Sequence, residues 1–466
     1  MGVTTLILVT AALFLTLRNM PMMAETGLEM LFFNVLTVFA YIIPVALVAA
    51  ELATGWPHNG VYHWVRAAFG DRFGWAAAWL QWIQSIFGMT SILGYIAASL
   101  AYVLAPQLGS NKFFIVGTIL AVYWTATLIN FKGTKLSGRI SSVCVLAGVL
   151  LPTLVLITLA VLYFFRGQAV HLAFDFGEKN LIPSFGEAKN WVLFLSFVFG
   201  FVGVEVSACH ARDVENPTRN YPIAIFTACI AGFVLTLLGG LAVAVLLPAQ
   251  DIQLINGAVQ SFHVLSRAFH VPWLMPVAGY LIALGAAGLV STWVVGPVKG
   301  LLAGGRAGNL PPLFQKVNQK GIPRNLLLLQ AALISLIACL FLIVPNPNSA
   351  LLILTDLAVL LYSLMYALMF LSAIYLRYRQ PDTPRPYRVP GGNWGMWLVG
   401  GVGLLTAGLC FIVGFIPVDL GKIPLGLYEG LMLGGVAVLL TAPFLLYYFK
   451  RPKWRLNHEM VSQKEV

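Results

Sequence analysis

One carboxylate sits where water should not reach. In "SFVFGFVGVEVSACHARDVENPTRNYP" (Ser196–Pro222), Glu205 lies near the end of an otherwise uncharged run from Trp191 to Cys209. An ionised acid at the centre of a membrane helix costs about 2.5–3.5 kcal/mol on insertion scales, so such a residue faces a polar interior, a partner or a pathway. Two readings follow. Glu205 takes up and releases a proton and so links gating to protonation, or it is a structural carboxylate held by a backbone amide or by Arg18. Arg18 is the second costly residue, beside Asn19 and just before Pro21 in "LRNMPMMAETG". Its planar fork suits a substrate carboxylate, while its long stem would equally let it snorkel from the outer interface to water. His210, Asp213 and Glu215 fall past the sixth hydrophobic run, where charge is cheap, and read as a loop network anchoring an inner gate. Asp356 and Glu429 read as interfacial.

The elements that must position these groups are membrane helices. Hydrophobic residues make up 59% of the 466, charged residues 10%, and the mean hydropathy is +0.86. That leaves too little polar surface for a soluble globule. A crossing needs about 20 residues, and charge-poor stretches of that order occur near 3–27, 30–50, 75–105, 113–131, 140–165, 191–209, 221–247, 271–298, 325–344, 351–376, 394–416 and 424–449. Because the runs are continuous rather than alternating, they are helices and not barrel strands. Pro21 removes a helix donor in the first run, and Gly200 and Gly203 weaken the sixth. Discontinuous helices are how many transporters offer backbone groups to a substrate at mid-membrane. The pattern predicts a five-plus-five inverted repeat with two further helices. The first repeat covers about 1–166, the second about 190–377 and the extra helices about 394–449, followed by a short basic tail, 450–466.

The formal charge of +11 is a matter of topology. Twenty-one of the 28 Lys and Arg fall in one set of loops and the tail, six on the opposite side and Arg18 within a span. The positive-inside rule then places both termini in the cytoplasm and leaves no nucleic-acid footprint. The five cysteines (144, 209, 229, 339 and 410) are odd in number and lack metal-ligand spacing, so free, buried thiols are expected, with no metal and no cofactor. The start, "MGVTTLILVTAALFLTL", has no basic n-region and reads as the first span, with almost no cytoplasmic segment before it. "QPDTPRPYRVPGGNWG" (Gln380–Gly395) reads as a stiff connector and Gly167–Asn190 as an outer cap. The loops carry no phosphate-cradling Gly loop with a Lys, no nucleophile elbow and no His cluster, which argues against an enzyme.

Three stretches in order, "AAELATGWPHNGVYHWVRAAFG" (Ala49–Gly70), "SFVFGFVGVEVSACHARDVENPTRNYPIA" and "STWVVGPVKGLLAGGRAGNLPPLFQKVNQKGIP" (Ser291–Pro323), resemble the amino acid, polyamine and organocation transporter superfamily. Within it they are similar to the bacterial glutamate/γ-aminobutyrate antiporters. The resemblance runs from the first helix to the twelfth and implies a LeuT-like fold, alternating access, and a substrate site between the broken first and sixth helices. Carried over by position, that site falls on Leu15, Thr16 and Arg18, on Trp82 in the third helix, on Phe199 and Gly200, on Trp293 in the eighth, and on Tyr362 and Tyr366 in the tenth, with Glu205 for proton coupling or gating. Three positions depart from those antiporters. Arg18 stands where they have a tyrosine, Leu289 where they have a glutamate four residues before the eighth-helix tryptophan, and only Pro452–Val466 follow the last helix where they carry a long plug.

The function expected is secondary active transport of amino acids across an inner (plasma) membrane, by exchange, with protons as a further partner. A proton-coupled uptake permease for neutral amino acids is the alternative. A transporter-like sensor or channel is the reading from another class, and a sensor would need a soluble output domain for which the loops leave no room.

Overall fold

The computed structural model describes residues 2–57, 60–344, 347–416 and 424–455; the side chains of 134–135, 178–179, 188–189, 209–213, 217 and 348 lie outside the description. Among the described residues there are helices and no strands. Twelve helices are long and apolar enough to cross a membrane: α1 (Val3–Ala24), α2 (Glu29–Gly55), α3 (Asp71–Leu104), α4 (Lys112–Phe131), α5 (Leu136–Phe165), α6 (Asn190–Ala208), α7 (Thr218–Leu246), α8 (Leu274–Asn309), α9 (Arg324–Ile343), α10 (Ser349–Arg379), α11 (Gly392–Val413) and α12 (Leu425–Tyr448). The chain is a multi-pass membrane protein.

Composition sorts the helices by depth in the bundle. In α6, α8 and α10 most of the hydrophobic stretch is buried against protein, whereas α12 shows most of its own outward. Since lipid is as apolar as leucine, hydropathy alone does not separate the two. What marks the interior is small residues that let backbones approach. A Cβ on Gly148 of α5 would lie 2.3 Å from the Gly285 backbone nitrogen of α8, so these helices meet main chain to main chain.

The contacts repeat with two-fold logic. α3 packs on α10 as α8 packs on α5, and α1 on α7 as α6 packs on α2. These are the pairs that an inverted repeat of α1–α5 and α6–α10 exchanges. Both α1 and α6, the first helix of each repeat, are interrupted near their middles, and α11 and α12 lie outside the repeat. Two further irregularities precede prolines: single π turns at Val38–Ile42 in α2 and Leu146–Leu150 in α5 come before Pro44 and Pro152, which lack the N–H that a regular ladder requires.

Among the described residues four cysteines are free; Cys144, Cys229 and Cys410 are buried, but Cys339 is exposed on α9, against the expectation that all are buried, and the side chain of Cys209 lies outside the description. Asp356 also departs from expectation. It is only 8% exposed and its carboxylate accepts a hydrogen bond from Tyr428 of α12 at 2.9 Å, so it is an interior group rather than an interfacial one.

Candidate functional site

The break in α1 is local chemistry. The helix Val3–Phe14 stops because Leu15 and Thr16 turn extended, with ψ of 117° and 149°. The chain restarts as a short 3-10 turn, Leu17–Asn19, whose second amide is capped when Arg18 N–H donates to Thr16 Oγ1 at 3.2 Å. Stopping a helix orphans carbonyls, and the carbonyl of Leu13 finds its donor in Trp293 Nε1 of α8, 2.8 Å away. In α6 the helix Ala188–Phe199 ends at Gly200, and the chain passes through Gly203 at φ 105° before re-forming as the 3-10 helix Val204–Asp213. A Cβ on Gly203 would sit 2.4 Å from the Trp293 ring, so both the left-handed backbone and the contact demand glycine. One indole therefore touches both breaks.

Glu205 lies at the start of the segment of α6 that follows the break and is 1% exposed. Tyr362 and Tyr366 of α10 each donate a hydroxyl to a different carboxylate oxygen, and Gln81 Nε2 of α3 donates at 3.2 Å. Tyr366 in turn accepts the Gly203 N–H at 3.2 Å, which ties the α6 break to α10. Among the described residues every side-chain partner of Glu205 is neutral.

Between the two breaks lies a cavity with about 60 Å³ open to water-sized solvent. Thr16, Arg18 and Asn19 line it from α1, Gln84 and Ser85 from α3, Phe199 from α6, and Leu289 and Trp293 from α8. Arg18 is half-buried in its wall and directs Nη2 to Ser91 of α3 and Thr355 of α10, both at 2.8 Å. No carboxylate among the described residues pairs with it, and the reading in which Arg18 neutralises Glu205 is corrected: each has a separate set of partners.

The residues expected at the site are thus sorted into groups. Thr16, Arg18, Phe199 and Trp293 line the cavity. Leu15 lies in the break but is 2% exposed and packed into the core. Gly200 abuts α1, where a Cβ would stand 3.3 Å from Asn19 Nδ2. Tyr362 and Tyr366 line a smaller cavity with Tyr41 and hold Glu205. Trp82 turns away, its Nε1 donating to Gln330 of α9 at 2.7 Å, and the α3 contribution to the cavity comes from the next turns instead. The side chains of His210 and Asp213 lie outside the described residues, and Glu429 is exposed.

Sequence reasoning passed over Gln81, Gln84, Ser85 and Ser91, although their spacing of three, four and seven marks one polar face on an apolar helix. It also passed over Glu51, just beyond the span drawn to residue 50. Glu51 is 2% exposed and receives Arg377 in a bidentate pair at 2.7 and 2.6 Å, the Val389 N–H at 2.7 Å, and Arg385 at 3.7 Å. These contacts fasten the connector after α10 to α2.

The described residues thus bring together an open cavity between two interrupted helices, a cation without a counter-ion among them in its wall, and a carboxylate gripped by tyrosines. The amino acid permease family model matches residues 2–436. The chain belongs to the amino acid permease family. It is 37% identical over 449 residues to an uncharacterised transporter of Legionella pneumophila, covering 96% of each chain. It is 32% identical over 445 residues to a glutamate/γ-aminobutyrate antiporter of Lactococcus lactis subsp. lactis, covering 94% of this chain and 88% of the relative. A second such antiporter, from Lactococcus lactis subsp. cremoris, is 32% identical over 461 residues, 97% and 91% of the two chains. This permease is accordingly a transporter and not an enzyme, with a LeuT-like arrangement of five plus five helices and two more.

Proposed function

We propose that the protein exchanges amino acids across a bacterial-type inner membrane by alternating access, in the manner of glutamate/γ-aminobutyrate antiporters, with both termini in the cytoplasm. The substrate occupies the cavity between the breaks of α1 and α6. The observation that carries this reading is Arg18, a cation in the cavity wall bonded only to the hydroxyls of Ser91 and Thr355. A guanidinium taken partly out of water without an anion is costly, and a substrate carboxylate met in fork geometry supplies that anion. Leu289 lines the same cavity, so the charge balance of the wall favours acidic or neutral side chains and disfavours cationic ones, which would meet Arg18 without a partner.

Glu205 gates the path. Its hydrogen bonds join α3, α6 and α10 beside the α6 break, and adding a proton changes both the charge and the donor–acceptor balance of that junction. Counterflow from proteoliposomes tests the reading. Labelled glutamate should enter vesicles preloaded with γ-aminobutyrate or glutamate and fail to accumulate in empty ones. Accumulation in empty vesicles driven by a pH gradient would replace exchange with proton-coupled uptake.

A further inference from the structure

α3 begins and α12 ends at the same face of the bundle, and two indoles of α3 hold them together there. Pro443 lacks the N–H that would serve the Leu439 carbonyl of α12. Trp79 Nε1 supplies a donor at 2.9 Å, and one turn further along α12 Trp75 Nε1 donates to the Pro443 carbonyl at 3.0 Å. Beyond α12 the chain reads "KRPKWR" (residues 450–455), four cations in six residues. This strap is docked: the Trp454 carbonyl accepts from Gln315 Nε2 at 2.7 Å, and a Cβ on Gly308 would lie 3.5 Å from the Arg455 nitrogen. Lys450 Nζ stands 3.7 Å from Asp71 Oδ2, which sets the strap beside the start of α3, where Arg72 lies over the Phe444 ring at 5.0 Å. Asp71 is also met by Arg66, at 3.6 Å. Arg72, Arg451, Lys453 and Arg455 are exposed and pair with no acid among the described residues. Beside them Phe73 of α3, Leu445 of α12 and Phe449 are exposed as well.

We propose that this corner binds the anionic headgroup of a membrane phospholipid, with the phosphate at Arg72, Arg451 and Lys453 and the acyl chains along Phe73, Leu445 and Phe449. Charge selects the headgroup. Basic clusters directly after a membrane helix attract anionic lipid, and Asp71, already met by Lys450 and Arg66, leaves the other cations in excess. A zwitterionic lipid brings no net charge to them. The apolar flank selects lipid over a soluble anion, because a free phosphate would leave Phe73, Leu445 and Phe449 uncovered. Docking through Gln315 and Gly308 holds the cations in place before a ligand arrives, so less order has to be imposed on binding than on a loose tail. The inference needs the chain to be a membrane protein and does not depend on what it transports.

The test reads binding rather than transport. Short-chain phosphatidylglycerol added to the full chain in a neutral detergent should raise its thermal midpoint, since a ligand that binds only the folded state stabilises it. Phosphatidylcholine of the same chain length, and inorganic phosphate at the same concentration, should not. In Arg72→Gln/Arg451→Gln/Lys453→Gln the half-maximal phosphatidylglycerol concentration should rise about a hundredfold, from roughly fivefold per cation, the equivalent of about 1 kcal/mol each. Lys132→Gln/Arg139→Gln/Lys316→Gln removes the same charge from exposed positions near other span ends of that face. It should shift the concentration less than about threefold, because charges beyond a Debye length are screened. If the first triple variant is not recovered folded, Lys453→Gln alone, on an exposed side chain, should give the single fivefold step. No rise with phosphatidylglycerol, an equal loss in the control, or a rise as large with phosphate or phosphatidylcholine would overturn the site.

Discussion

Glu51 and Glu205 are both nearly sealed from solvent, 2% and 1% exposed, yet their surroundings differ in kind. Glu51 is held by two guanidinium groups and a backbone amide near the C-terminal end of α2. Glu205 is held by two phenols and a carboxamide at mid-bundle. An acid locked between arginines serves as a fastening. An acid among neutral donors has no fixed counter-charge, so its proton can come and go without breaking an ion pair. In one chain, then, the same residue type is a rivet at the connector after α10 and, in the function proposed, a switch at the broken helix. Arg385, beside Glu51 and outside the spans, shows the strain of the rivet: burial pulls its guanidinium down from the usual value, and Glu51 opposes that pull.

Breaking the rivet should have the largest effect. Glu51→Gln leaves Arg377 buried without an anion, and removing one partner of a buried ion pair costs about 3–5 kcal/mol; the thermal midpoint of the purified protein should fall sharply. A midpoint near wild type would mean that the cluster is not load-sharing. Arg18→Ala comes next and touches ligand rather than fold. Competition by glutamate and by leucine alike should weaken by at least about tenfold, matching roughly 1.5–3 kcal/mol for a charge-assisted hydrogen bond, since each presents a carboxylate to the fork. Equal glutamate inhibition in the variant would remove Arg18 from the site. Trp293→Phe removes the indole edge beside Gly203 and frees the Leu13 carbonyl, so a loss of about 1–3 kcal/mol in unfolding stability is expected, the cost of a buried acceptor left unsatisfied. Glu205→Gln should be the mildest for stability, within about 1 kcal/mol, because a carboxamide still accepts from Tyr362 and can donate to Tyr366.

The sequence showed this contrast only in part. Span number and the Gly203 break are legible because hydropathy and the "GFVG" glycines act over a few residues; Pro21 marks the first helix as irregular, but the break itself falls five residues earlier at Thr16, a position that only the family resemblance implies. Glu205 was legible because a charge in an apolar run has a local cost. Its partners were not, since Gln81 lies 124 residues away and Tyr362 157, and only tertiary packing brings them to one carboxylate. Trp82 shows the opposite error: an aromatic at an implied position says nothing of which face it takes, and one helical turn decides between the cavity and Gln330. Asp356 looked interfacial because it is near the start of its helix, and Tyr428 of α12, invisible to any local window, buries it.

The most direct test of the switch is the pH dependence of glutamate counterflow in wild type and Glu205→Gln, with Glu51→Asp as a control that keeps the charge. Wild type and the control should share one pH profile, differing at most in yield, while Glu205→Gln should exchange at a rate that no longer varies with pH across the same range. A Glu205→Gln protein that retained the wild-type pH profile would contradict the account and return Glu205 to the class of structural carboxylates.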